Sequence, residues 1–267
     1  MRLEEFDYEL PPERIAQYPA PQRDAARLLL LQRASGTWAD RAFRELPELL
    51  RPGDLLILND SRVIPARLLG WREGIHAQPR PGPRNRARHG FLERRIEVLL
   101  TRSLAPDLWQ ALVRPGRKMP VGERLWFGAP EPALAAEIVG RGEMGERTLR
   151  FQHADGSSFA SREDFLAALE RIGHVPLPPY IRRPADEPDR PEDRERYQTA
   201  FAARPGSAAA PTAGLHFTHE ILARLEAAGI ALATVTLDVG LGTFQPVHAA
   251  EIEQHSMHAE RYRIAPE

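Results

Sequence analysis

Apolar residues fall along this chain in three distinct textures. Near the N-terminus, Leu10-Pro11-Pro12 gives turn chemistry and Glu13–Gln17 a single helical turn. Ala25–Gln32 is then an apolar run of strand length, Ser35-Gly36 makes a turn, and Thr37–Phe43 reads as the returning strand. Arg44–Leu50 predicts a short helix stopped by Pro52-Gly53. Asp54–Leu58, DLLIL, is continuously apolar, the pattern of a strand covered on both faces. It runs into Asn59, Asp60, Ser61 and Arg62. Polar groups just past a buried strand are where α/β proteins place ligands, although Asn-Asp-Ser is also ordinary turn chemistry.

The second texture runs from Val63 to His153. Short strand-like runs follow one another at Val63–Leu69, Arg95–Leu104, Leu108–Arg114, Arg124–Phe127, Leu134–Val139 and Arg147–His153. Turn residues separate them, with almost no helical period, which predicts a small antiparallel barrel. Ser161–Ile172 is the clearest helix: Ser161 caps it, Phe165, Leu166, Leu169 and Ile172 form its apolar face, and Gly173 stops it.

In the third texture the periodicity lapses. From His174 to Phe217 only one helix is expected, about Arg194–Ala203. So long an irregular path lines a site or is disordered. The alternating charges of Arg182–Arg196 read as a solvated face, whereas GHVPLPPYI and PGSAAAPTAGLHFTHE do not. Small residues, prolines and glycines make poor core but suit a backbone that approaches a ligand closely. Thr218 then caps a helix from His219 to Ala228 with Ile221, Leu222 and Leu225 inward, and Gly229 ends it. Ile230–Leu237 is a strand, followed by Asp238 and the loop Gly240-Leu-Gly-Thr-Phe. Loop, helix, strand and loop in this order are the rhythm of an α/β unit. The expected architecture is a discontinuous, barrel-like α/β domain from residues 1–62 and 159–267, with a small antiparallel β-barrel domain, 63–158, inserted into it.

Composition adds limits. The 267 residues, 42% hydrophobic and 27% charged, suit one large domain or two ordinary ones. No apolar run reaches membrane-spanning length, and the start MRLEEFDYEL has neither the basic nor the apolar region of a secretory signal. The absence of cysteine excludes disulfides and thiolate metal sites and fits a cytoplasmic protein. A net charge of −1 exerts no global pull toward nucleic acid or membrane, so RNA binding requires a local patch. Of 36 basic residues only Lys118 is lysine, for which genome composition is sufficient reason. The connection Arg72 to Arg94 is rich in Pro, Gly and Arg. A solvated hairpin loop is its plainer reading and an RNA-phosphate contact its functional one.

Generic motifs are few. The phosphate loop, the nucleophile elbow and the H-E-x-x-H motif are all missing, and Gly240-Leu-Gly242 is a weak G-x-G that a tight turn explains equally well. His216-x-x-His219 and His255-x-x-His258 have chelating spacing, but no acidic partner is placed recognisably beside them. His216, at a loop-to-helix junction, reads as an acid–base or hydrogen-bonding group. Asp238, ending its strand, is the carboxylate that matches Asn59–Arg62 from the other half of the chain.

Longer strings are more specific. FDYELPPERIAQYPAPQRDAARLL, LRPGDLLILNDSRVIPARL, GHVPLPPYIRR, ERYQTAFAARPGSAAAPTAGLHFT, TLDVGLGTFQPV and HSMHAERY occur in this order over nearly the whole chain. In them the chain resembles the S-adenosylmethionine:tRNA ribosyltransferase-isomerases of queuosine biosynthesis. The resemblance implies transfer of the ribosyl unit of S-adenosylmethionine to 7-aminomethyl-7-deazaguanine at wobble position 34 of tRNA. Isomerisation gives epoxyqueuosine, and adenine and methionine leave. It further implies tRNA substrates with GUN anticodons (Tyr, His, Asp, Asn), no tightly bound cofactor, no metal, no membrane and a cytoplasmic monomer. Mapped onto the matched strings, His216 is expected as base or acid, and Asp238 as its partner or a ribose ligand. Asn59, Asp60 and Arg62 hold substrate polar groups, Gly214 and Gly242 allow close backbone approach, and Tyr180 or Phe217 stacks a base. Thr212, Gly240 and Thr243 complete the substrate-binding set. Two departures from the family stand out: the long connection after Gly70, and a C-terminus at Glu267 that cuts the α/β domain short. The rival expectations are a metal-dependent hydrolase using His216, His219, His255 and His258, and a non-catalytic RNA-binding relic.

Overall fold

Turn chemistry and alternating apolar positions set the first elements. β1 (Arg27–Gln32) and β2 (Thr37–Ala42) pair as an antiparallel hairpin with Leu31 opposite Trp38. A 3-10 turn leads into α1 (Leu46–Leu49), then β3 (Leu55–Asn59) and β4 (Ser61–Val63). The computed structural model describes residues 1–74, 94–116, 119–142, 145–184, 187, 189–240, 242, 247, 249–257 and 259–265. Most of the Arg-rich connection, together with Lys118, Thr243, His248 and His258, lies outside these. The chain divides into two compact units, Met1–Val63 with Leu177–Glu267, and Ile64–Pro176.

In the inserted unit, β5 (Arg67–Arg72), β6 (Ile96–Ser103), β7 (Leu108–Arg114), β8 (Arg124–Phe127), β9 (Leu134–Arg141) and β10 (Glu146–His153) close into a barrel. The strand order around it is β10-β7-β6-β5-β8-β9, with every neighbour antiparallel. Closure leaves no unpaired edge, so short strands suffice. Alternate residues fill the interior: Val98 and Leu100, Trp109 and Ala111, Leu125 and Phe127, Leu149 and Phe151 are buried.

Helix α2 (Arg162–Ile172) belongs to this unit rather than to the outer one. Its Ser161 side chain accepts from the Asp164 amide, as the cap pattern predicts. The border expected near Ser158 therefore moves to Pro176. The reason is packing: Phe165 is fully buried among Trp109, Phe151 and Phe159, with ring centroids 5.4, 5.0 and 5.1 Å away. Gly173 ends the helix where a Cβ would sit 2.1 Å from the Pro65 carbonyl oxygen, so close approach of two backbones requires glycine there. His174 and Arg67 then exchange backbone hydrogen bonds of 2.8 and 3.1 Å.

The outer unit continues with α3 (Pro191–Arg196), β11 (Arg204–Ser207), α4 (His219–Ala227), β12 (Ala231–Asp238) and β13 (Arg261–Arg263). The helix expected at 194–203 starts earlier and stops sooner. Pro191 occupies its first turn, where a missing amide costs nothing, and Tyr197 leaves the helical region at φ −85°, ψ 38°. β3 pairs in parallel with β12, β12 antiparallel with β13, and β4 in parallel with β11. Among the described residues these sheets have two or three strands and do not close into a ring. The apolar run of β3 predicts cover on both faces. Instead Leu55 and Ile57 are 59% and 58% exposed, while Leu58 packs inward with Phe43, Phe217, Ile221 and Leu225. A sheet packed on one side leaves alternate residues facing away, however apolar they are. No helix among the described residues is long and apolar enough to cross a membrane.

Truncating the ring that joins α2 to the barrel, Phe165→Ala, is expected to cost about 3–5 kcal/mol, read from denaturant unfolding. A loss below about 1 kcal/mol would show that α2 is not part of the barrel core.

Candidate functional site

The polar set after β3 owes its position to hydrogen bonds from the far end of the chain. Asn59 closes the parallel β3–β12 pair. Its Nδ2 donates to the Leu237 carbonyl at 2.9 Å, and its Oδ1 accepts from the Leu237 and Ser61 amides, each at 3.0 Å. The Asp60 amide donates to the Val235 carbonyl, and the Asp60 carbonyl accepts from the Ala203 and Arg204 amides at 2.8 and 3.1 Å. Its carboxylate is buried, accepting from the Thr236 hydroxyl at 2.6 Å and facing Arg204 Nε at 3.5 Å. One residue thus joins β3, β12 and the approach to β11.

The small-residue run continues this set. Ser207 is fully buried; its hydroxyl donates to the Ala209 carbonyl at 2.7 Å and accepts from the Val239 amide at 2.9 Å. Ala208, Ala209 and Ala210 are buried as well, and the Ala208 amide donates to the Val239 carbonyl. Smallness here lets two backbones meet. Asp238 lies opposite Arg261 in the β12–β13 register, and the Gly240 amide donates to Glu260 Oε1 at 2.9 Å. The strand ends and the 203–210 run therefore form one bonded cluster containing Asn59 and Asp60, with Asp238 and Gly240 beside it at the end of β12.

The other expected site residues lie on separate elements of the same unit. His216 ends the 3-10 turn Thr212–His216, half-buried, its ring 5.3 Å from that of Phe43. Thr212 is exposed at the start of that turn. Gly214 is buried, and a Cβ there would meet Thr199 Cγ2 at 2.8 Å, so the approach it permits is to the protein's own packing. Arg62 is exposed, as is Tyr180, whose carbonyl accepts from Gln17 Nε2. Gly242 is half-buried. Phe217 cannot stack a base as expected. Its ring is 6% exposed and packs edge-on against Phe43 at 4.9 Å and Phe201 at 6.0 Å. His219 is exposed at the first position of α4. No group of three His, Cys, Asp or Glu that could hold a metal ion occurs among the described residues.

Sequence reading missed Thr236, Ser207 and Arg204, which complete the cluster. Thr236 reads as an ordinary strand residue, and only register places it against Asp60. It also missed the pair beneath the irregular path. Arg183 forks onto Asp193 at 2.7 and 2.8 Å, both side chains nearly inaccessible, with the guanidinium 4.8 Å from the Tyr18 ring. The Arg183 hydrogen bonds, against the cost of burial, hold the Asp193 carboxyl below its usual range. Tyr197 is buried beside the Ala210 backbone, and burial pushes its phenol up to about 12.

A family model described as "Queuosine biosynthesis protein" matches residues 3–267. Curated proteins named S-adenosylmethionine:tRNA ribosyltransferase-isomerase are similar. That of Solibacter usitatus is 56% identical over 99% of this chain and 71% of its own length. That of Moorella thermoacetica is 47% identical over 100% and 68%. The crystal structure of S-adenosylmethionine tRNA ribosyltransferase from Thermotoga maritima aligns with 34% identity and a TM-score of 0.33, covering 89% of this chain and 59% of that one. The chain thus spans less than two thirds of that solved structure.

Thr236→Val, which keeps shape but removes the donor to Asp60, is expected to cost about 1–3 kcal/mol. An unchanged denaturation midpoint would show that this bond does not support the cluster. For the buried ion pair, Asp193→Asn is expected to lose about 3–5 kcal/mol at neutral pH. Because the folded carboxyl is depressed, the pair stabilises above the unfolded value near 4 and is lost as pH falls through the folded value. The stability gap between wild type and variant should therefore narrow below about pH 4, as read from urea melts at stepped pH.

Proposed function

The chain belongs to the queuosine biosynthesis protein family, and from that membership we propose that it is an S-adenosylmethionine:tRNA ribosyltransferase-isomerase, a transferase of tRNA modification. The carrying observation is 56% identity, across 99% of the chain, to a curated relative of that name. S-adenosylmethionine is the ribosyl donor and co-substrate, with no tightly bound cofactor. The acceptor is 7-aminomethyl-7-deazaguanine at wobble position 34 of tRNAs with GUN anticodons, and the products are epoxyqueuosine, adenine and methionine. The protein works as a cytoplasmic monomer.

The discontinuous α/β unit is the catalytic one, since every described candidate residue lies in it. A positive sulfur acidifies the neighbouring 5′ carbon of the donor, so a general base of ordinary strength suffices to remove its proton. His216 supplies the base or acid, and Asp238 partners it or holds a ribose hydroxyl. The geometry sharpens the remaining roles. Asp60 is committed to Thr236 and Arg204, so it holds the strand ends together more than it reads the substrate. Arg62 is exposed and presents a fork for a carboxylate or phosphate. Tyr180, 53% exposed, is left as the aromatic that can stack an unpaired base.

Adenine release from S-adenosylmethionine with precursor tRNA tests the reading; neither a metal hydrolase nor an RNA-binding relic produces it. His216→Ala and Asp238→Ala should each slow single-turnover transfer by at least about a hundredfold. Near-normal rates would remove both assignments while leaving the family intact.

A further inference from the structure

Three carbonyls meet one guanidinium beside the turn that carries His216. Arg23, which opens the 3-10 turn Arg23–Ala25, donates from Nη1 to the Leu215 carbonyl at 3.0 Å and the Arg196 carbonyl at 3.3 Å. Its Nη2 donates to the Glu195 carbonyl at 2.9 Å. Arg196 answers in the opposite direction, donating to the Ala20 and Pro21 carbonyls at 2.7 and 3.2 Å. Glu195 and Arg196 end α3, where a helix leaves its last carbonyls without internal partners, and Leu215 directly precedes His216. Phe43 holds the same histidine through its ring, and its amide is tied to the Ala26 carbonyl at 2.8 Å. The segment from Arg23 to Phe43 thus grips His216 twice, once through the preceding carbonyl and once through the imidazole.

We propose that Arg23 is a positioning residue for His216, clamping the Thr212–His216 turn to the end of α3 so that the imidazole keeps one orientation toward the reacting atoms. The inference rests on the acid–base role assigned to His216 above. A planar fork holds carbonyls of two separate segments in one fixed geometry, whereas a lysine ammonium is a point donor on a flexible stem. The guanidinium is held below its ordinary value, first by burial and then by Arg196, with Glu195 opposing. The half-buried cation thus spends its donors on three backbone carbonyls, which order the turn. Misplacing a catalytic group by an ångström costs about a hundredfold in rate.

The test compares wild type, Arg23→Lys, Arg23→Ala, Arg196→Ala and His216→Ala by steady-state adenine release and by NMR spectra of nitrogen-labelled histidine. Expected for Arg23→Ala are a kcat lowered about 10- to 100-fold, a KM for S-adenosylmethionine within about twofold, and a displaced His216 resonance. Arg23→Lys should fall between the two, and Arg196→Ala, which keeps the Leu215 bond, should leave the His216 resonance in place. A kcat within about twofold of wild type in Arg23→Ala, or an unmoved His216 resonance, would overturn the proposal. If Arg23→Ala does not fold, Arg23→Lys carries the same comparison. If the wild-type chain releases no adenine, or His216→Ala retains full rate, the functional reading fails instead. The clasp is then decided by the His216 resonance in Arg23→Lys alone, moved in support and unmoved against.

Discussion

The outer unit depends on how the polar end of β3 is satisfied. A parallel strand that stops short of its partner leaves backbone donors and acceptors needing distant help. Here that help comes from residues 203–239, with Asn59 and Asp60 as the receiving points. Asn59 substitutes its amide for one more step of strand pairing. Asp60 accepts backbone amides on its carbonyl and a hydroxyl on its buried carboxylate. Removing either would loosen β12, the 203–210 run and the approach to the His216 turn together, because all are anchored on these two residues or on segments bonded to them.

A second theme is arginine used to gather carbonyls. Arg23 and Arg196 clasp two segments, Arg183 combines a buried carboxylate with the Gln17 and Arg182 carbonyls, and in the barrel Arg147 collects those of Gly116, Met119 and Glu146. Irregular segments carry carbonyls that no ladder satisfies, and a five-donor planar head meets several at once. The near absence of lysine is thus matched by a structural use for arginine that composition does not reveal. Among the described residues, Arg23, Arg183 and Arg196 tie the irregular path near α3 to the N-terminal segment in this way.

Much of the fold was legible because its signals are local. Ser161 and Thr218 cap the helices they were expected to cap, and five of the six barrel strands fall close to their expected spans. The first, expected at Val63–Leu69, runs Arg67–Arg72 because Val63 pairs in the other unit. The misreadings share one cause. DLLIL, Phe217 and the Ser161–Ile172 helix were assigned surroundings by local pattern, yet their surroundings are set by distant neighbours: an open sheet face, an aromatic core, and the barrel interior. The candidate site was legible as a list, since Asn59, Asp60, His216 and Asp238 are polar residues at element ends. Which of them bond to one another was not.

By itself the sequence determined the element types, the presence of an inserted barrel and, through long matching strings, the family. These follow from spacing and residue chemistry within a few turns of chain. Only the tertiary structure decided that Asp60 is committed to Thr236, that the alanine run is packing material, that Phe217 is core, and that Arg23 reaches the turn bearing His216. Each of those joins residues separated by between about twenty and nearly two hundred positions. The energy of a buried hydrogen bond or ring contact depends on which atoms meet, and no local period encodes that.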